Sequence, residues 1–184
     1  WTDCFAAGTI TATDVQATAA KQSVQLTSTG GGIQLASILT SPSTGQVTLT
    51  ANKSITDTDG TVDVTAKNVT MKSVTGSIGA VDAPVQLSVA TVTAAAPGAL
   101  YFTNDKAISL TSIVGGEVGI GAQGAITQTG PIVATSLRVS GNGAPITLDT
   151  QANQLGAFGA TNPVGIGGAG TVFVKDTSAS LAIL

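Results

Sequence analysis

The residues best placed to do chemistry lie in one short stretch, Asp57-Thr58-Asp59-Gly60-Thr61-Val62-Asp63. Its side-chain oxygens alternate along the chain, a donor pattern that Ca2+ accepts. The stretch lacks the bidentate Glu that closes a Ca2+ loop, and its ring is short. A plain turn leading into a strand is therefore the expected reading, and no metal ligand is assigned. The other acids are Asp3, Asp14, Asp82, Asp105, Asp149, Asp176 and the single Glu117. Asp59, Asp82 and Asp105 follow one another at a spacing of 23 residues. In a repeat of that length they would form a vertical acidic row able to meet a cation or sugar hydroxyls. The preference of Asp for turns accounts for the same row without a ligand. Acid–base attack on a polysaccharide needs converging carboxylates, normally with a basic partner, and Lys106 is the only base adjacent to these acids.

Other catalytic groups are missing or isolated. The chain has no His, which removes Ser-His-Asp and Cys-His catalysis and His-ligated metals. Cys4 is the only cysteine; it can form neither an internal disulfide nor a thiolate metal site, and is expected to be a small buried or fraying side chain. The basic residues Lys21, Lys53, Lys67, Lys72, Lys106, Arg138 and Lys175 never cluster, so no stripe exists to follow a nucleic-acid backbone. Gly30-Gly31-Gly32 and Gly165-Ile166-Gly167-Gly168 precede strands rather than helices, which excludes a phosphate loop. Among the aromatics Trp1, Phe5, Tyr101, Phe102, Phe158 and Phe173, the reading places Phe102 and Phe173 in the core. Tyr101 faces outward as the one aromatic candidate for a surface contact. No catalytic, cofactor-binding or metal residue is assigned, and an enzyme is not expected.

The composition explains what must position these residues. Charged residues make up 9% of the 184 residues, against roughly 25% in ordinary domains. Such a chain is dissolved by Thr, Ser, Asn and Gln rather than by charge. With 42% apolar residues and a mean hydropathy of +0.39 it is not a disordered chain. Segments such as Ser23–Thr27, Gln46–Thr50, Thr61–Thr65, Ala107–Thr111 and Pro145–Asp149 alternate apolar and polar residues, as strands with one buried face do. Turn clusters separate them, and the six prolines fall at corners.

A longer period runs through the whole chain. Ile10, Ile33, Ile55, Ile78, Phe102, Ile126, Leu148 and Val172 recur at gaps of 22 to 24 residues. Val15, Ile38, Val62, Val85, Ile108, Val133, Leu155 and Leu181 recur at gaps of 22 to 26. A looser third series contains Leu26, Leu49, Met71, Val92, Val118, Val139 and Ile166. Three apolar markers per period predict an all-β, right-handed parallel β-helix, with three short strands per coil, about 23 residues per coil and roughly eight coils. Residues 1–184 are expected to be a single solenoid segment, a fragment of a longer repeat protein. No apolar run is long enough for a transmembrane helix. Aromatics at 3% and strands of about five residues argue against an outer-membrane barrel.

Several stretches resemble the filamentous-haemagglutinin-type repeats of large bacterial exoproteins. They are Gly76–Ala80, Ala83–Val89, Leu100–Asp105, Gly124–Gly130, Ala134–Val139, and Ile146–Leu148 continuing to Asn153–Phe158. The resemblance is clearest from Lys53 to Val174. It implies a right-handed β-helical shaft exported by a Gram-negative bacterium, extracellular or on the cell surface, with adhesion rather than catalysis as its role. The partners it implies are neighbouring repeats and host or environmental glycans or surface proteins. Two alternatives stand beside this reading: a subunit of a self-assembling extracellular filament, whose open coil ends pair, and a polysaccharide-acting β-helix enzyme.

Overall fold

A computed structural model describes the whole chain except residues 1, 21, 161–163, 165, 166 and 169, and residue 2 by its backbone alone. The expected core position Ile166, the loop 161–163, Trp1 and Lys21 therefore lie outside the described residues. The described chain is all β, a parallel solenoid of about eight turns averaging about 22 residues.

Each strand lies beside its counterpart one coil away, and all the pairings are parallel. On the first face the strands Thr2–Ala6, Ser23–Ser28, Gln46–Ala51, Asn68–Ser73 and Thr91–Ala95 stack in order. Val24, Val47, Val69 and Val92 form one inward column, and Leu26, Leu49, Met71 and Ala94 the next. Alternation decides which residues point in: Ser23–Ser28 alternates half-buried and fully buried positions along its length. The second face stacks Ile10, Ile33, Ile55, Ile78, Leu100, Val118, Leu137 and Phe158. The third stacks Val15, Ile38, Val64, Leu87, Asn104 and Ala122. Ile33, Ile55, Ile78 and Leu100 have no exposed surface. Burying a side chain of that size contributes about 1.5–3 kcal/mol.

The abundant Thr and Ser satisfy the backbone at the corners. Thr58 and Thr75 donate their hydroxyls to Leu35 O and Asn52 O, one coil away, both at 2.6 Å. Ser28 and Ser73 share one arrangement: each donates to a carbonyl of the preceding coil and accepts the N–H of the glycine three residues on. Inward amides do the same inside the stack. Asn104 Nδ2 donates to Val89 O (3.1 Å) and Lys106 O (2.9 Å), while its Oδ1 accepts Val89 N. Asn153 and Gln128 exchange two side-chain hydrogen bonds, and Asn153 also binds Ile132 N, Leu148 O and Lys175 O.

The coils are not of one length, and this corrects part of the expected register. In the first coils the repeat is 22 or 23 residues, as in Ile33 with Ile55 and Val24 with Val47. In the middle it contracts: Val92 pairs with Leu110 and Leu100 with Val118, each 18 residues on. Near the end it lengthens, with Ile146 facing Val172, 26 residues on. The corner between the second and third faces is the cause. Its inward residues are five apart in Ile10–Val15 and Ile33–Ile38, and nine apart in Ile55–Val64 and Ile78–Leu87. They are four apart in Leu100–Asn104 and Val118–Ala122. Two coils thus carry an inserted corner loop, and the following coils lose the corner altogether, running on as the 15-residue strand Ile108–Ala122.

A fixed period cannot follow that change. Leu100, not Phe102, continues the Ile10 column, while Phe102 pairs with Val85 on the third face. Val64 and Leu87 occupy the column expected for Val62 and Val85. Val62 and Val133 face outward, at 38% and 37% exposure. Of Thr61–Thr65, only Val64–Thr65 is strand; the rest belongs to the inserted loop. The described prolines, Pro42, Pro84, Pro97, Pro131 and Pro145, all lie outside strands, as their missing N–H requires.

Candidate functional site: an acidic turn on an inserted corner

The first of the two inserted loops carries the acidic stretch. It leaves the strand Ile55–Asp57 and enters the strand Val64–Thr65. Two local turns shape it. Asp57 Oδ1 accepts the N–H of Asp59 (2.9 Å) and of Gly60 (3.1 Å). Asp59 Oδ1 accepts the N–H and the hydroxyl of Thr61, at 3.0 and 2.9 Å. Gly60 sits between them at φ 71°, the left-handed conformation that glycine takes without strain.

These turns fold the loop so that Asp57, Asp59 and Asp63 converge, with one carboxylate oxygen of each within 4.8 Å of the other two. Asp57 is half-buried, Asp59 exposed and Asp63 fully buried. Asp63 is fixed between coils: its N–H donates to Gln86 O (2.8 Å), its carbonyl accepts Ile38 N (2.7 Å), and its Oδ2 accepts Gln86 N (2.7 Å). Its Oδ1 is buried without a hydrogen-bond partner. Burial pushes the Asp63 carboxyl up to about 8; the Gln86 N–H opposes this, while the charges of Asp57 and Asp59 and a shared proton with Asp57 reinforce it.

The expected row Asp59–Asp82–Asp105 is not what converges. Asp82 lies in the second inserted loop, and Asp105 follows the shortened coil, so the 23-residue spacing no longer implies stacking. Beside the acidic turn runs an open groove of about 380 Å3, lined in part by Val62, Pro84, Gln86, Thr103, Asp105 and Gln123. It offers carboxamide, hydroxyl and carboxylate groups on a rigid floor.

The other residues singled out by sequence resolve as follows. Tyr101 is buried at 6% exposure rather than presented to solvent. Burial and a hydrogen bond to Glu117 push its phenol up to about 12, with the Glu117 charge adding to the rise and Arg138 opposing it. Phe102 is in the core as expected, but Phe173 is 52% exposed, because Val172 and Val174 take the inward positions around it. Cys4 is exposed, in register with inward-facing Leu26 on the terminal strand. Sequence reasoning missed the buried amides Asn104, Gln128 and Asn153; each stands in a strand pattern where polar residues are expected to face out.

Residues 97–162, about a third of the chain, match the model of a family described as repeats of unknown function (DUF5649). The match begins in the coils where the corner is lost and runs through the stacks of Val118, Leu137 and Phe158. No curated protein and no solved structure matches the chain. Fold and match together define the class: a repeat-containing parallel β-solenoid.

Proposed function

We propose that this chain is a segment of the rigid, non-catalytic shaft of a secreted bacterial surface protein of the filamentous-haemagglutinin kind, serving adhesion. The observation that carries the reading is the unbroken second-face column from Ile10 to Phe158, in which every coil meets only its neighbours. Such a stack is quasi-one-dimensional: its length grows with the number of repeats, and its side presents a long regular surface. A chain without His, whose single Cys is an exposed strand residue, is suited to spacing and presenting rather than to bond breaking. The groove beside the acidic turn is the surface we assign to a glycan or surface-protein partner, since its amides and hydroxyls match the hydrogen-bonding groups of a sugar.

A second reading, assembly of the coils end to end into a filament, is favoured by the terminal rungs. Phe5 on the strand Thr2–Ala6 is 65% exposed, and Ile183 on the opposite rung is 76% exposed. Stacking of one rung on the other would bury both and pair their free strand edges.

Surface display is tested by inserting an epitope into the exposed turn at Pro42–Thr44 and probing intact cells that produce the protein. Labelling before lysis supports the shaft; labelling only after lysis places the protein inside the cell and overturns it.

A further inference from the structure

We propose that Asp57, Asp59 and Asp63 bind one Ca2+ ion that locks the inserted corner loop onto the solenoid.

The first ground is geometry. Ca2+ takes oxygen ligands at about 2.3–2.6 Å in flexible arrangements, so two ligands on opposite sides of one ion stand up to about 4.8 Å apart. The three carboxylates offer one oxygen each within that separation. All are hard oxygen donors, which suit Ca2+ rather than a softer transition metal. Each of Asp57 and Asp59 holds the turn chiefly through Oδ1, leaving the lone pairs of its second oxygen largely available.

The second ground is independent of the cluster's shape. Among the described residues, Asp63 Oδ1 is the one buried side-chain nitrogen or oxygen without a hydrogen-bond partner. The other inward polar groups, among them Ser28, Thr40, Ser73, Asn104, Gln128 and Asn153, all have partners. An unpaired buried carboxylate oxygen is costly. The groups gathered around this carboxylate are two further carboxylates, which repel it as anions. A divalent cation between them reverses that repulsion and supplies the partner Oδ1 lacks. It would join the loop to the strand Val64–Thr65 and, through Gln86, to the next coil.

The test is calorimetric titration of the chelator-treated full chain with CaCl2 and, separately, MgCl2, together with thermal unfolding in each. The expected result is one Ca2+ per chain with Kd on the order of 10⁻⁴–10⁻³ M and a melting temperature that climbs with Ca2+. Mg2+, which demands a tighter octahedron, should bind more weakly. Asp63→Asn should abolish binding. Asp59→Asn, at an exposed position that leaves the fold intact, should weaken it roughly tenfold or more. Absence of heat and of a melting shift up to about 10 mM Ca2+ overturns the proposal. So does a Mg2+ affinity above that for Ca2+, or unchanged Ca2+ binding in both variants.

Discussion

The backbone N–H of Gln86 donates to Asp63 Oδ2 at 2.7 Å, while the second oxygen of the same carboxylate is sealed from solvent with no partner. One side chain therefore ties the inserted corner to the next coil and carries an uncompensated charge at the same place. The behaviour of that corner with pH, cation and substitution follows from this pairing.

In chelated buffer the stability of the chain should depend on pH through Asp63. Its carboxyl lies near 8 in the fold and at 3.8 when unfolded. The folded state thus holds a proton that the unfolded state releases. The penalty is absent below about pH 3.8, grows through the window up to about 8 and is constant above it. The melting temperature should fall between pH 5 and 8, and Asp63→Asn should flatten that slope and raise stability at neutral pH. Thermal unfolding monitored by circular dichroism across this range checks the sign; a wild-type slope matching that of the variant contradicts it.

The buried amides should be as important as core aliphatics. Asn153→Ala would leave Ile132 N, Leu148 O, Lys175 O and the Gln128 amide unpaired at once. An orphaned buried group costs about 1–3 kcal/mol, so the loss should be about 3 kcal/mol or more. Asn104→Ala should behave alike, by release of Val89 and Lys106. Urea denaturation gives both values.

Register is checked by a pair of substitutions. Ile55→Ala empties a fully buried position of the second-face column and should cost about 2–5 kcal/mol. Val62→Ala, on the outward side of the inserted loop, should change stability by less than about 0.5 kcal/mol. Equal losses at the two sites would return Val62 to the core.

Two glycines separate backbone strain from lack of space. Gly60 and Gly79 both have positive φ, but a Cβ at Gly60 meets only Gln86 Nε2 at 3.9 Å. At Gly79 it would strike Tyr101 O and stand 2.9 Å from Val85 N. Gly60→Ala should cost about 1 kcal/mol from conformation alone. Gly79→Ala should cost clearly more, because backbone of the neighbouring coil would have to move.

Much of this architecture is legible in the sequence, for a stated reason. The strands alternate, and the first coils keep their length, so Ile10, Ile33, Ile55 and Ile78 can be aligned by counting. Counting fails where the corner changes. The four residues gained between Ile55 and Val64 shift Val62 off the column, and the corner lost after Leu100 moves Phe102 to another face. Corner length is set by turn residues that leave no periodic signal. The acidic turn was visible as a donor pattern, but its convergence depends on Asp63 being drawn inward by Gln86, a contact between residues 23 apart. Tyr101 illustrates the reverse: its alternation with Phe102 puts it outside, yet a hydrogen bond to Glu117 and its surroundings cover it.

The central claim, a rigid stack of coils forming a shaft segment, is tested most directly by small-angle X-ray scattering with mass determined by light scattering on the same sample. The account predicts a particle of monomer mass, 17.9 kDa, whose long axis is on the order of 40 Å, set by about eight rungs at about 4.8 Å. Long filaments with a regular axial repeat would contradict the shaft-segment reading in favour of end-to-end assembly, and an expanded, flexible chain would contradict the solenoid itself.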